Sequence, residues 1–81
     1  MNIRIHLFAR FKELLGTNAL SIDVSPGCTV GELKRTLGKV NANVRGLIAA
    51  SAVAVDEEFA EDALVIREDA VVALIPPVSG G

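Results

Sequence analysis

The sequence contains no tryptophan and no tyrosine, and three phenylalanines are its only aromatic residues. Proteins that hold single-stranded nucleic acid stack the bases on aromatic side chains, and this chain offers few. Its formal net charge of −2 also opposes binding to a phosphate backbone. Both features argue against a nucleic-acid partner.

Cysteine and histidine are each present once, as Cys28 and His6. A single cysteine cannot form an internal disulfide, which fits a reducing cytosol. One cysteine and one histidine also cannot complete a closed metal site. His6 lacks the serine and aspartate pattern of a catalytic triad. Cys28 precedes a predicted helix start, where a thiol can become reactive, but a lone cysteine among apolar residues is more typical of packing.

Long apolar runs and glycine loops are also missing. No run approaches the roughly 18 residues of a membrane span, and the first residues lack a signal-peptide pattern, so we expect a cytoplasmic protein with no membrane partner. Gly27, Gly31 and Gly38 are too scattered for a phosphate-binding loop. The acidic residues of 56–62 lack the spacing of a calcium loop. The chain therefore has no visible catalytic site within its folded part.

The charges present are unevenly distributed. Seven of the eight basic residues lie in the first 45 positions, and seven of the ten acidic residues lie in 56–69. The simpler interpretation is two solvated faces of one small domain, since 81 residues with a 51% hydrophobic share suit a single packed core. The alternative is a polarised surface that orients a protein partner.

Alternating apolar and polar residues predict strands over 2–8 and 20–24, joined by a short helix that ends at Gly16. Phe8 falls on the polar side of the first strand. It either turns round to the core or stays exposed as an anchor for a partner. Acidic residues follow a further predicted strand at 52–55, where Phe59 stands alone among them.

A capping box, Thr29-Val30-Gly31-Glu32, opens the main helix. Its apolar stripe comprises Val30, Leu33, Leu37 and Val40. Gly38 suggests that the regular helix ends there. A short second helix over 44–48, an extended piece at 63–66 and a strand at 70–75 complete the pattern. If the first and last strands pair centrally under the capped helix, the fold is α+β, a β-grasp mixed sheet with one main helix on one face.

The last six residues form a segment of their own, so we divide the chain into a domain at 1–75 and a tail at 76–81. Pro76 and Pro77 stiffen the exit from the last strand, and six extended residues reach roughly 20 Å. Glycine has no Cβ, so Gly80 and Gly81 suit a narrow channel. The terminal carboxylate could attack the α-phosphate of ATP, and the resulting anhydride could be captured by sulfur or nitrogen. The plainer interpretation is an inert, flexible end.

Four segments, 7–16, 29–33, 53–55 and 72–81, resemble those of MoaD-type ubiquitin-like sulfur carriers, the family of molybdopterin synthase small subunits. The resemblance covers nearly the whole chain. The terminal Pro-Pro-Val-Ser-Gly-Gly is its most specific part, because Gly-Gly alone also ends carriers for thiamine synthesis, carriers for tRNA thiolation, and ubiquitin.

The resemblance implies a β-grasp carrier that is not an enzyme alone and holds no stable cofactor. A MoeB-type adenylating enzyme would activate Gly81 with ATP, and a sulfur donor would convert it to a thiocarboxylate. The tail would then enter the large synthase subunit, within a heterotetramer, and give sulfur to cyclic pyranopterin monophosphate. The inserted residues would be Pro76, Pro77, Val78, Ser79 and Gly80. The contact positions of the family map onto Phe8, Lys12, Phe59 and Ile75.

The chain departs from the family pattern at three places. Asp69-Ala70 replaces a Gly-Asp turn, Asp56 replaces an asparagine, and Ile75 replaces a frequent aromatic residue. The first two leave the loop conformation open, and the third changes the packing expected at an interface. The alternatives are a carrier for thiamine synthesis or tRNA thiolation, a ubiquitin-like modifier joined to lysines, and an interaction domain with an inert tail.

Overall fold

The structure is a computed structural model and describes residues 1–77. Its strands are β1 (Asn2–Leu7), β2 (Ala19–Asp23), β3 (Ala52–Val55), β4 (Glu58–Ala60) and β5 (Val72–Ile75). Its helices are α1 (Arg10–Leu15), α2 (Val30–Val40) and α3 (Arg45–Ala50), with a 3₁₀ turn at Ala42–Val44. None of the helices in this part of the chain is both long and apolar enough to cross a membrane.

The five strands form one mixed sheet in the order β2-β1-β5-β3-β4. The first and last strands are parallel neighbours at its centre, with Ile5 opposite Val72 and Leu7 opposite Leu74. All other neighbouring pairs are antiparallel. The predicted α+β fold of the β-grasp kind is confirmed, and so is the central pairing of the first and last strands.

The core lies between one face of this sheet and the helices. Its buried side chains come from both layers, and include Ile3, Ile5, Leu7, Phe11, Val30, Leu33, Leu37, Val44, Ile48, Val53, Val72 and Leu74. The predicted stripe of α2 is correct for its first three members. It is wrong for Val40, which is 69% exposed, because Val44 of the following 3₁₀ turn packs into the core after the helix has ended.

The start of α2 is held by the predicted capping box and by a second segment. The Thr29 hydroxyl accepts from the Glu32 N–H at 3.2 Å, and the Glu32 carboxylate accepts from the Thr29 N–H at 3.4 Å. The next free N–H groups of the helix donate to the backbone of 62–64, from Val30 and Gly31 at 2.9 and 3.0 Å. The extended piece at 63–66 therefore serves to clamp this helix, through a single β-bridge between Thr29 and Val65.

Gly38 does not end α2, contrary to the sequence prediction. It is buried in the helix interior, and a Cβ built on it would lie 2.9 Å from Cγ of Arg45. The glycine therefore allows the side chain of Arg45 to lie directly against the helix backbone. This contact is between two helices, and no local pattern could reveal it.

Asp56 organises the loops at the acidic end of the sheet. Asp56 and Glu57 both have positive φ, 51° and 70°, as a type I′ turn between β3 and β4 requires. The Asp56 carboxylate accepts from the Val71 N–H at 3.0 Å and pairs with Arg67. Val71 is thereby held by a side chain, so β5 starts at Val72 and not at the predicted residue 70.

Candidate docking face and reactive tail

One face of the sheet carries the core, and the other carries small side chains edged by aromatic ones. On this outer face a row of paired residues crosses all five strands: Ala19, His6, Ala73, Ala54 and Phe59. The next row toward the tail joins Ile75 to Ala52. Three of the five residues in the first row are alanines, of which Ala54 is only 8% exposed. We call this alanine floor, together with Phe8, Phe59 and Ile75, the docking face.

The two phenylalanines stand out from this floor. Phe59 is 75% exposed on the edge strand β4, and Phe8 is 52% exposed just after β1. Ile75 is half-buried between them on β5. Large apolar side chains left in water on one sheet face are typical of a surface that a partner covers. Of the two alternatives for Phe8, the exposed one is correct, and neither Phe8 nor Phe59 contributes to the core.

Lys12 lies beside Phe8. Both line a groove of about 460 Å³ at the β1–β2 edge of the docking face, with Arg4 and His6 in the same wall. The backbone between them is strained, since Ala9 has φ 50° and ψ −121°, a region that costs a non-glycine residue about 1–3 kcal/mol. This bend separates exposed Phe8 from buried Phe11, whose N–H donates to the Phe8 carbonyl at 3.2 Å.

The tail leaves from the same end of the sheet as Phe8. Because β1 and β5 are parallel and Leu7 pairs with Leu74, Phe8 and Ile75 come at the same level, and Pro76 follows at once. Pro76 is half-buried and Pro77 is exposed. The predicted tail residues Val78, Ser79, Gly80 and Gly81 lie outside the described residues.

Cys28 is packed in the core and is only 5% exposed. Its Sγ donates to the Thr29 carbonyl at 3.3 Å. Burial, with the nearby Glu32 carboxylate adding to it, raises the pKa of the Cys28 thiol. This is the opposite of what an activated thiol needs, because the thiolate is the nucleophile. Within residues 1–77, no three histidine, cysteine or carboxylate side chains converge as metal ligands would.

Comparison with known proteins decides the family. The ThiS family model matches residues 5–81. The chain belongs to the ThiS family. The molybdopterin synthase sulfur carrier subunit of Dictyostelium discoideum is 32% identical over 81 residues, which cover 96% of this chain and 94% of that protein. The subunit of the same name from Arabidopsis thaliana is 28% identical over 81 residues, which cover 100% of this chain and 84% of that protein.

Solved structures agree with this ThiS-family fold. SAMP1 from Haloferax volcanii superposes with a TM-score of 0.85 at 25% identity, over 100% of both chains. A protein–protein complex of subunits 1 and 2 of molybdopterin-converting factor from Helicobacter pylori contains a chain with a TM-score of 0.69 at 20% identity, again over 100% of both. The second likeness concerns the fold alone.

Sequence reasoning on this ThiS-family chain missed the floor of the docking face. Ala54 and Ala73 were not singled out, nor was Arg4 beside Phe8. One signal was present, because Ala52-Val53-Ala54-Val55 alternates small and branched residues. That alternation shows two faces of a strand, but only the register shows that Ala54 lies between Ala73 and Phe59.

Proposed function

We propose that this chain is the sulfur-carrier subunit of a molybdopterin synthase. The observation that carries the proposal is the family match, which extends from residue 5 through Gly81 and so includes the Gly-Gly end. Two relatives aligned over nearly the whole chain bear the name of that subunit. The docking face beside the exit of the tail, with its exposed Phe8 and Phe59, supports the same role, since a carrier must be held while its terminus reacts.

The reactive group is the carboxylate of Gly81. An oxygen of this carboxylate attacks the α-phosphorus of ATP, pyrophosphate leaves, and an acyl-adenylate forms. A sulfur donor then displaces AMP to give the thiocarboxylate. The terminal sulfur is finally transferred to cyclic pyranopterin monophosphate in the large subunit, and water cleaves the bond between that sulfur and the Gly81 carbonyl, which restores the carboxylate. The chain supplies the carboxylate and its delivery, while ATP binds to the activating enzyme and no cofactor stays on the carrier.

The docking face serves the partners of the carrier. Phe8, Phe59 and Ile75 provide apolar anchors, and Lys12 provides a charged contact at the edge. In protein–protein interfaces a few large side chains carry most of the binding energy, and the contacts around them contribute little. The complex from Helicobacter pylori pairs subunits 1 and 2 of molybdopterin-converting factor, which supports a large subunit as one partner. A heterotetramer with that subunit and a MoeB-type activating enzyme complete the proposal.

Intact-mass analysis tests the proposal. The chain is incubated with ATP, a sulfide donor and a MoeB-type enzyme, and we expect the mass gain of one sulfur replacing one oxygen. Matched controls are a variant lacking Gly81 and a variant with one alanine added after it. Both keep the docking face and should stay unmodified. Modification of either control at an equal level would contradict a role for the Gly81 carboxylate.

Reconstitution with other acceptors separates the alternatives. The thiocarboxylated chain is offered to the molybdopterin synthase large subunit, to a thiazole-forming enzyme and to a tRNA-thiolating enzyme. We expect sulfur transfer with the first. Transfer only with another acceptor would assign the chain to thiamine synthesis or tRNA thiolation, and thiol-resistant adducts on lysines would assign it to protein modification.

A further inference from the structure

A basic groove lies on the helical side of the molecule, between α2 and α3. It measures about 490 Å³, and its walls carry four cations. Three come from α2 and one from α3: Lys34, Arg35, Lys39 and Arg45. Four of the eight basic residues of the chain thus line one groove, in a protein whose net charge is −2.

Two contacts give the groove a fixed shape. The Lys34 ammonium donates to the carbonyls of Ala49 and Ser51, at 3.2 and 2.9 Å, and so ties α2 to the end of α3. The stem of Arg45 packs against the backbone of Gly38, as described above. Both walls are therefore held in place by contacts between the helices and not by a ligand.

Among residues 1–77, no carboxylate forms an ion pair with the remaining cations of the groove. Within residues 1–77, the ion pairs are those of Arg67 with Asp56 and Asp69, and none involves the groove. Its one acidic residue is Asp62, at the end near Gly31. Arg35 and Lys39 are exposed and four residues apart, so they lie on one side of α2, while Arg45 faces them from α3.

The groove suits carboxylates spread along a peptide better than a compact phosphate. Proteins commonly hold phosphate with backbone N–H groups at a helix start. Here Val30 and Gly31 already donate to Leu64 and Asp62, and Glu32 donates to Thr29. Between the charged tips, the groove offers Ala49, Gly31 and the aliphatic stems of lysine and arginine, which suit apolar side chains.

We propose that the α2–α3 groove binds an acidic segment of a partner protein, one in which carboxylates alternate with apolar side chains. The buried stripe of α2 faces the sheet, so the helix lies between the groove and the docking face. A partner on the docking face would leave the groove free. The inference therefore goes beyond sulfur transfer and does not depend on it.

An NMR titration of the folded full chain tests this. The probe is a short capped peptide of alternating glutamate and leucine, added at low salt. We expect amide shift changes at Arg35, Lys39, Arg45 and Ala49. Arg35→Glu should weaken binding about tenfold, because a favourable surface pair becomes a repulsive one. Arg10→Glu makes the same charge change on exposed α1, outside the groove, and should leave the affinity within about twofold.

The competing occupants are tested in parallel. Inorganic phosphate and ATP should bind more weakly than the peptide, and light scattering should show a monomer. If Arg10→Glu weakens peptide binding as much as Arg35→Glu does, or if phosphate or ATP is the tighter ligand, the proposal is wrong. It is also wrong if the groove is covered by the acidic β3–β4 turn of a second copy, which would appear as self-association that Arg35→Glu abolishes. None of these readouts involves the modification of Gly81.

Discussion

At the scale of single residues, Glu57 occupies a backbone position that glycine fills better. Its φ of 70° lies in the left-handed region, and the second place of a type I′ turn strongly favours glycine. We expect Glu57→Gly to raise the free energy of unfolding by about 0.5–1 kcal/mol, because relief of strain exceeds the added freedom of the unfolded chain. Urea unfolding measures this change.

Glu58 provides the control for that substitution. It is the neighbouring acidic residue, but it lies in β4 and is paired with Val55. Glu58→Gly removes the same charge and should lower the free energy of unfolding by about 0.5–1 kcal/mol, because glycine weakens a strand. Equal effects of both substitutions would show that charge, and not the turn, sets the stability here.

Cys28 should make the free energy of unfolding depend on pH in the alkaline range. Burial raises the pKa of its thiol above the ordinary value of 9.0, so the folded state keeps this proton to higher pH than the unfolded chain. The stabilising contribution is complete below that value and is lost as pH rises through the folded pKa. We expect the free energy of unfolding to fall more between neutral pH and about pH 10 in the wild type than in Cys28→Ala. Parallel curves would contradict this, because the two proteins differ only in the thiol of residue 28.

At the scale of elements, the close crossing of α2 and α3 predicts coupled substitutions. Alanine is favoured over glycine inside a helix by about 1 kcal/mol. In the wild type, Gly38→Ala must displace the Arg45 stem, so its net effect on the free energy of unfolding should be near zero or unfavourable. In an Arg45→Ala background the same change should be favourable by about 1 kcal/mol. A double-mutant cycle, with urea unfolding of all four proteins, measures the coupling. Strictly additive effects would show that the contact between Gly38 and Arg45 does not affect stability.

Elements set by local chemistry were predictable from the sequence, and their ends often were not. The start of α2 follows from Thr29 and Glu32, which lie three residues apart and bond to each other. Its end does not, because Gly38 has a role only through Arg45, a residue from the next helix. The start of β5 was similarly misplaced, since an aspartate 15 residues away accepts the N–H of Val71.

At the scale of the whole molecule, the docking face needed the sheet order before it could be seen. Phe8 and Phe59 were recognisable one at a time, as apolar residues in polar surroundings. The family resemblance grouped them as contact positions, but the residue pattern alone does not place them on one face, because Phe8 follows β1 and Phe59 lies on β4, with two strands between. The alanine floor likewise becomes visible only from the register of the strands. Alanine is common both on exposed faces and in cores, so its position in the sequence does not show which face it occupies.

Binding of the large subunit by the docking face and sulfur transfer at Gly81 should therefore be separable by substitution. Phe59→Asp places a charge at the exposed edge of the docking face, so folding should be unaffected while affinity for the large subunit falls about thirtyfold or more, as for other aromatic hot spots. Deleting Gly81 should keep most of that affinity and abolish sulfur transfer. Val40→Asp is the matched control, because Val40 is also a highly exposed apolar residue but lies at the end of α2. Calorimetric titration with the large subunit, beside a sulfur-transfer assay, distinguishes the three variants. If Val40→Asp weakens binding as strongly as Phe59→Asp, the large subunit does not bind through the docking face.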